Sequence, residues 1–193
     1  MKDWSRWLIL GTVLGIVLVG ILFSNLGGAV VAADNPVVIM ETSLGTITIE
    51  LNKEKAPITV ENFLKYVDDK HYDGVLFHRV IPTFMIQGGG FEAGLKERET
   101  RAPIKNESGN GLSNMRGSIA MARTRELDSA SAQFFINVVD NQRLDGLQYC
   151  VFGKVTGGMD VVDKIKAVET RDVGPHEKVP VQDVIIKSVR RKQ

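Results

Sequence analysis

Phe77 to Gly90 reads F-H-R-V-I-P-T-F-M-I-Q-G-G-G. The stretch divides at Pro82 into two short extended pieces, Phe77 to Ile81 and Phe84 to Gln87, because proline has no amide proton to give a ladder and marks a break or bulge. Its unusual member is Arg79. An arginine in the middle of an apolar strand must keep its guanidinium in a cleft or in solvent, since a buried charge without a partner is very costly. Side chains alternate faces along a strand, which predicts Phe77, Arg79 and Ile81 on one side, and Met85 and Gln87 together on the second piece. With the two pieces side by side, Arg79, Gln87, Met85 and Phe84 surround one small site with apolar walls, a fixed cation and an amide. His78 then points away from Arg79 and reads as a satisfied core histidine.

Upstream, V-V-I-M-E-T and G-T-I-T-I-E-L are joined by Ser43 and Leu44, and Ile47, Ile49 and Leu51 alternate with Thr46, Thr48 and Glu50. This is the pattern of a half-buried strand in a hairpin. Val60, Phe63, Leu64 and Val67 follow at spacings of three and four, predicting an amphipathic helix from Pro57 to Asp68. Downstream, Phe91 to Asn114 is polar, with Lys96, Glu97, Arg98, Glu99 and Arg101 crowded together. A loop of that length either contacts something or is a solvated insertion. Strands are expected at Gly117 to Ala122, Ala132 to Val138, Leu147 to Val155 and Val181 to Val189, with a second short helix carrying Met159, Val162 and Ile165. Many short strands with only two helices predict a mainly β, closed architecture.

The chain has 193 residues, 44% of them hydrophobic and 24% charged, enough for one globular domain with a substantial core. Its formal net charge of +1 gives no reason to expect nucleic acid as a partner. Cys150 is the single cysteine, so no disulfide can close within the chain, and it reads as a small buried hydrophobe. At the N-terminus, Lys2 and Arg6 precede an uncharged apolar run from Leu8 to Phe23, and small residues at Val31, Ala32 and Ala33 lead to Asp34. That pattern is an export signal, either cleaved or retained as an N-terminal apolar helix in the membrane. Residues 1–33 are therefore expected to be a signal peptide or membrane anchor and residues 34–193 the working domain. The domain is expected outside the cytoplasm, in the periplasm or cell envelope.

Familiar catalytic patterns are absent. His71, His78 and His176 are scattered, no C-x-x-C or H-E-x-x-H occurs, and no metal is expected. Gly88 to Gly90 lacks the lysine and hydroxyl residue of a phosphate loop. The run F-H-R-V-I-P-x-F-M-I-Q-G-G resembles the signature of the cyclophilin family of peptidyl-prolyl cis-trans isomerases. G-S-I-A-M-A-R-T, Gly117 to Thr124, and S-A-Q-F-F-I-N, Ser131 to Asn137, agree with it, and the likeness runs from about Val37 to the end.

The resemblance implies an eight-stranded antiparallel β-barrel with a helix over each open end, and an activity without a cofactor. Arg79 matches the catalytic arginine and Gln87 the amide that orients the substrate backbone. Phe84, Met85, Phe135 and Leu144 match the walls of a proline pocket, whereas plain core packing is the other reading of these four. Ala122, Arg123 and Thr124 match the edge that receives the peptide main chain, and Gln133 a polar neighbour of that edge. There are departures. Where many cyclophilins carry a tryptophan before the leucine of L-D-G this chain has Arg143, and where they have a histidine it has Gln148 or Tyr149. The implied substrates are proline-containing unfolded or nascent polypeptides, handled by a monomer that meets the membrane only through its N-terminal segment if that segment stays uncleaved. A noncatalytic module that holds proline segments in the same groove is the rival reading.

Overall fold

In the computed structural model, which describes residues 35–193, the chain enters on the hairpin β1 (Val37–Thr42) and β2 (Gly45–Leu51). Its register pairs Val38 with Ile49 and Met40 with Ile47, so the apolar members of both strands are fully buried on one face. Helix α1 (Pro57–Asp68) follows with the boundaries its apolar spacing predicts, proline at its start and Val60, Phe63, Leu64 and Val67 buried. Next come β3 (Val75–Leu76), β4 (Arg79–Ile81), β5 (Met85–Gly88), and a small hairpin of β6 (Phe91–Glu92) and β7 (Lys96–Glu97). The remainder comprises β8 (Ser118–Met121), β9 (Phe134–Asn137), α2 (Arg143–Gly146), β10 (Val151–Gly157), α3 (Met159–Lys166), the hairpin β11 (Thr170–Val173) and β12 (His176–Pro180), and β13 (Ile185–Arg191). The expected N-terminal apolar helix and the boundary after residue 33 lie outside the described residues.

The main sheet is antiparallel, mainly β in character with few helices, and has nine strands in the order β3-β13-β1-β2-β10-β8-β9-β5-β4. The expected closed eight-stranded barrel is corrected by this order. Edge strands β3 and β4 are consecutive in the chain and separated only by Phe77 and His78, so the sheet curls until its edges nearly meet. No ladder joins them. Between Leu76 and Arg79 the backbone crosses from one edge to the other, the Phe77 amide bonding to the Val184 carbonyl at 2.9 Å.

That crossing also breaks the expected alternation. Phe77 is fully buried and packs edge-on against Phe134, while Arg79 and Ile81 face the opposite side. Phe63, Tyr72, Phe77, Phe134 and Phe152 form an aromatic cluster in the main core, against which α1 and α3 pack. α3 is entered through Gly158, whose φ of +82° and 2.2 Å separation between an added Cβ and the Thr46 carbonyl oxygen leave no room for a side chain.

Phe91 to Asn114 is neither a free loop nor a bare insertion. It straps the fold. Glu107 accepts hydrogen bonds from the Ile58 and Thr59 amides and from the Thr59 hydroxyl, capping an α1 whose own cap position, Ala56, supplies none. The Arg98 guanidinium donates to the carbonyls of His71 and Asp73, pinning the turn ahead of β3. Cys150 is buried beside Thr59, and burial pushes its thiol pKa up, as befits a packing residue.

Candidate active site

The register of four neighbouring strands assembles the site. Arg79 lies opposite Gln87, Gln87 opposite Phe135, and Phe135 opposite Ala120. These residues share the face that turns away from the main core, while Val80, Ile86, Phe134 and Ile119 occupy the core face. A second apolar cluster forms there from Met85, Ala120, Phe135, Leu144 and Val151, flanked by Phe84 and Tyr149. The result is a cleft of about 160 Å³ with Phe84, Met85, Phe135 and Leu144 as apolar wall and Arg79, Gln87 and Arg123 at its rim.

The polar side of the cleft is sparsely bonded. Arg79 Nη1 reaches Gln87 Oε1 only at 3.5 Å, and among the described residues no carboxylate pairs with Arg79. Gln87 is fixed from its other end, its amide nitrogen donating to Gln133 Oε1 at 3.0 Å. Gly90 makes room for this pair, because a Cβ there would lie 2.5 Å from the Gln133 amide nitrogen. The half-buried cation thus keeps donors free beside apolar walls, where an interaction with a polar atom is stronger than in bulk water.

A chain of buried amides holds the apolar wall from beneath. Asn141 donates to the Phe84 carbonyl at 2.8 Å and to Asn137 Oδ1 at 2.7 Å. Asn137 donates in turn to Asn114 Oδ1 and Ser118 Oγ, and Asn114 to Asp145 Oδ1. Asp145 also accepts from the Ser113 hydroxyl, and its carboxyl pKa is lowered overall; burial opposes the hydrogen bonds from Ser113 and Asn114 that win. The network joins Phe84 on one side of the cleft to α2, which carries Leu144, on the other. Every member has a partner, so it fixes the spacing of the two walls.

His78 departs from its sequence reading. It is 6% exposed and its ring lies 4.6 Å from that of Phe91, yet Nδ1 has no partner and the ring lines a cavity with Arg79, Gln87, Gln133 and His176. It is buried with Nδ1 unpartnered. Two of the three histidines are also less scattered than in sequence, since Phe91 is packed between His78 and His176. Burial, with the charges of His176 and Arg79 adding to it, lowers the His78 pKa from 6.5 to about 4. A histidine held neutral by the fold stabilises it fully above pH 6.5 and loses that advantage as pH falls towards 4. This group alone is expected to make unfolding about 2 kcal/mol easier at pH 5 than at pH 7. Urea titrations of wild type and His78→Gln at both pH values check it, and an identical pH dependence in the two proteins would refute it.

The structure brings together most of the residues singled out in the sequence. Arg79, Gln87, Phe84, Met85, Ala122, Arg123, Phe135 and Leu144 line one cleft. Gln133 stands behind it, bonded to Gln87, and lines the neighbouring cavity with His78. Thr124 does not line the cleft; its hydroxyl bonds to Ser129 in the turn after β8, which draws the side chain away. Tyr149 is the residue that sequence reasoning left between two positions. Gln148 takes a positive φ of 62° and is exposed, whereas the Tyr149 ring lies 5.8 Å from Phe135 and beneath the Arg123 guanidinium, 4.6 Å from its carbon. The expected strand from Leu147 begins only at Val151, after α2 and this turn.

Comparison with known proteins identifies the family. The family model described as cyclophilin type peptidyl-prolyl cis-trans isomerase matches residues 37–191. A peptidyl-prolyl cis-trans isomerase of Acinetobacter baylyi is 56% identical over 174 residues, covering 86% of this chain and 93% of the relative. The peptidyl-prolyl cis-trans isomerase B of Escherichia coli is 55% identical over 159 residues, covering 79% and 97%. Among solved structures, a Cryptosporidium parvum cyclophilin type isomerase superimposes with a TM-score of 0.71 at 24% identity, covering 82% of this chain and 98% of that one. The same parasite protein, crystallised in the presence of the dipeptide Ala-Pro, gives 0.70. A single-domain match of this extent, on a chain whose arginine, amide and aromatic wall already meet in one cleft, means that the chain belongs to the cyclophilin-type peptidyl-prolyl cis-trans isomerases.

Proposed function

We propose that the cleft grips a proline ring against Phe84, Met85, Phe135 and Leu144 while Arg79 stabilises the twisted amide. The amide barrier of about 18–20 kcal/mol comes from resonance that is lost as the bond turns. Only in the twisted state does the prolyl nitrogen have a lone pair free to accept a hydrogen bond. A guanidinium aimed at that atom therefore binds the transition state better than either ground state, which is the condition for catalysis. Gln87, steadied by Gln133, orients the carbonyl preceding proline, and Ala122 and Arg123 form the edge along which the upstream main chain lies. Thr124 acts through the shape of that edge.

The observation that carries this reading is the Arg79 guanidinium at the mouth of an apolar cleft, with no carboxylate partner among the described residues. Crystallisation of the parasite isomerase in the presence of Ala-Pro supports proline peptides as ligands. The clients are unfolded or nascent polypeptides, whose X-Pro bonds otherwise take tens to hundreds of seconds to equilibrate, and the protein acts on them as a monomer. Exchange between the cis and trans resonances of a short Ala-Pro peptide, followed by NMR, tests the reading. Catalytic amounts of protein should speed exchange with no peptide fragments formed; binding without faster exchange would favour a noncatalytic holder.

The same reading places the domain of residues 34–193 in the cell envelope, exported by residues 1–33. The charge and hydropathy pattern of Met1 to Asp34 supports it. N-terminal sequencing of protein from native envelope fractions should begin at Asp34, or at the chain start if the segment stays as an anchor. Recovery of the protein solely from cytoplasm would overturn the proposal.

A further inference from the structure

Arg98, Arg101, Arg116, Arg190 and Arg191 each pair with a carboxylate, on Glu92, Asp69, Asp163, Asp73 and Asp68 respectively. The arginines bordering the cleft, like the exposed Arg125 and Arg171 elsewhere, are not paired in this way. Arg79, Arg123 and Arg143 have no carboxylate partner among the described residues. Arg123 spends its terminal nitrogens on the carbonyls of Thr124, Arg125 and Leu147, while its buried Nε has no partner among the described residues. Arg143 makes no such bonds. It is exposed at the start of α2, with its guanidinium carbon 5.6 Å from the centre of the Phe84 ring. A guanidinium laid on an aromatic face is held in place while its N–H edges stay open to a planar acceptor.

Arg143 also marks where the cleft continues. Beyond Phe84 a wide groove of about 700 Å³ runs between Ile81 and Thr83 on one bank and Val139 to Arg143 on the other, with Arg79 at its inner end. Its one lining carboxylate, Asp140, accepts the Arg116 amide at 2.8 Å and is already engaged there. Among the described residues no carboxylate lines the proline cleft. The positive field is local to the site: residues 1–33 hold Lys2, Arg6 and Asp3, so the 24 basic and 23 acidic residues of the chain become equal in number beyond them. A peptide whose upstream part lies along Ala122 and Arg123, with proline against Phe135, leaves the cleft over Phe84 into this groove.

We infer that the enzyme selects X-Pro bonds followed by an acidic residue, and that Arg143 is the specificity residue that reads the carboxylate. The inference rests on the proline-isomerase reading of the cleft. Arg143 touches the substrate after proline, away from the turning bond, so its contact is formed in the ground and transition states alike. The preference therefore enters mainly through KM.

The test uses NMR exchange on a peptide series Ala-Ala-Pro-Y-Ala with Y as Glu, Gln or Lys. At low ionic strength kcat/KM for the Glu peptide is expected to exceed that for Gln about fivefold, the upper end for one partly exposed ion pair. Lys should fall below Gln. The Glu-to-Gln ratio should shrink below about twofold in 0.5 M NaCl, where screening is strong. Arg143→Gln should bring the ratio close to one at low salt, and Arg143→Lys should keep most of it. A wild-type ratio near one overturns the inference, as does a ratio unaffected by Arg143→Gln in a variant with wild-type circular dichroism. An equal preference for Glu placed before proline would move the contact to Arg123 and overturn the role of Arg143. Failure to isomerise any peptide, Gln included, would instead overturn the reading of the cleft on which the inference stands.

Discussion

Arg79→Ala is expected to lower kcat/KM for X-Pro isomerisation by about 10²- to 10³-fold, the usual cost of removing one preorganised donor from a transition state. Peptide affinity should change by much less, about threefold, because the apolar wall that holds proline is untouched. The separation follows from geometry. Phe84, Met85, Phe135 and Leu144 form the apolar walls of the cleft, whereas Arg79 stands on β4 at the edge of the sheet with a single long contact to Gln87. Deleting it leaves no buried carboxylate stranded, so loss of activity cannot be charged to a broken ion pair. Arg79→Lys should recover little, since an ammonium is a point charge on a flexible stem and does not present the planar fork of donors. Exchange NMR for turnover and calorimetry for binding measure the two quantities separately. A variant that kept half the wild-type rate would remove Arg79 from the mechanism.

Phe134→Ala is expected to cost about 3–5 kcal/mol of stability, the range for deleting a buried aromatic side chain. Phe134 has no exposed surface and its ring meets those of Phe63, Tyr72 and Phe77 edge-on, with centroids 5.8, 5.5 and 6.1 Å away. A domain of this size loses roughly 2–4 °C of Tm per kcal/mol, which puts the fall at about 10 °C. Activity well below the new Tm should survive. Phe134 and Phe135 are neighbours in β9 and face opposite sides, so the cavity opens in the core while the cleft keeps its wall. Thermal unfolding and low-temperature exchange rates check both halves. A Tm shift under about 3 °C, less than the cited range allows, would mean that the aromatic cluster closes over the gap.

The elements that were legible in the sequence are those with a local cause. α1 begins at Pro57 and ends at Asp68 because the apolar spacing of Val60, Phe63, Leu64 and Val67 belongs to one helix face. The first hairpin is visible in the alternation from Thr46 to Leu51. The short hairpin β11–β12 was not legible, since Thr170–Val173 and His176–Pro180 are largely exposed and carry no apolar alternation. The cap of α1 could not be read either. Glu107 lies 48 residues from Thr59, and nothing in their spacing announces the hydrogen bond between them.

The candidate site divides in the same way. Residue chemistry and the family motif identified Arg79, Gln87 and the aromatic wall, because an arginine flanked by apolar residues signals an uncompensated need for a cleft. Tyr149 and the true setting of His78 required the fold: a left-handed Gln148 turns Tyr149 towards Phe135, and the edge-to-edge crossing at Phe77 and His78 resets which way each side chain faces.

By itself, then, the sequence determined the family, the positions of α1 and the first hairpin, and the chemical character of the site, all of which depend on residue type and short-range period. Only the tertiary structure decided that the sheet has nine strands with edges left unjoined, that Asn141 ties Phe84 to the base of the cleft, and that Arg143 lies against the Phe84 ring. Strand pairing and side-chain partnership are set by residues distant in the chain. Their free energies depend on which groups meet in space, and a local pattern carries no record of that meeting.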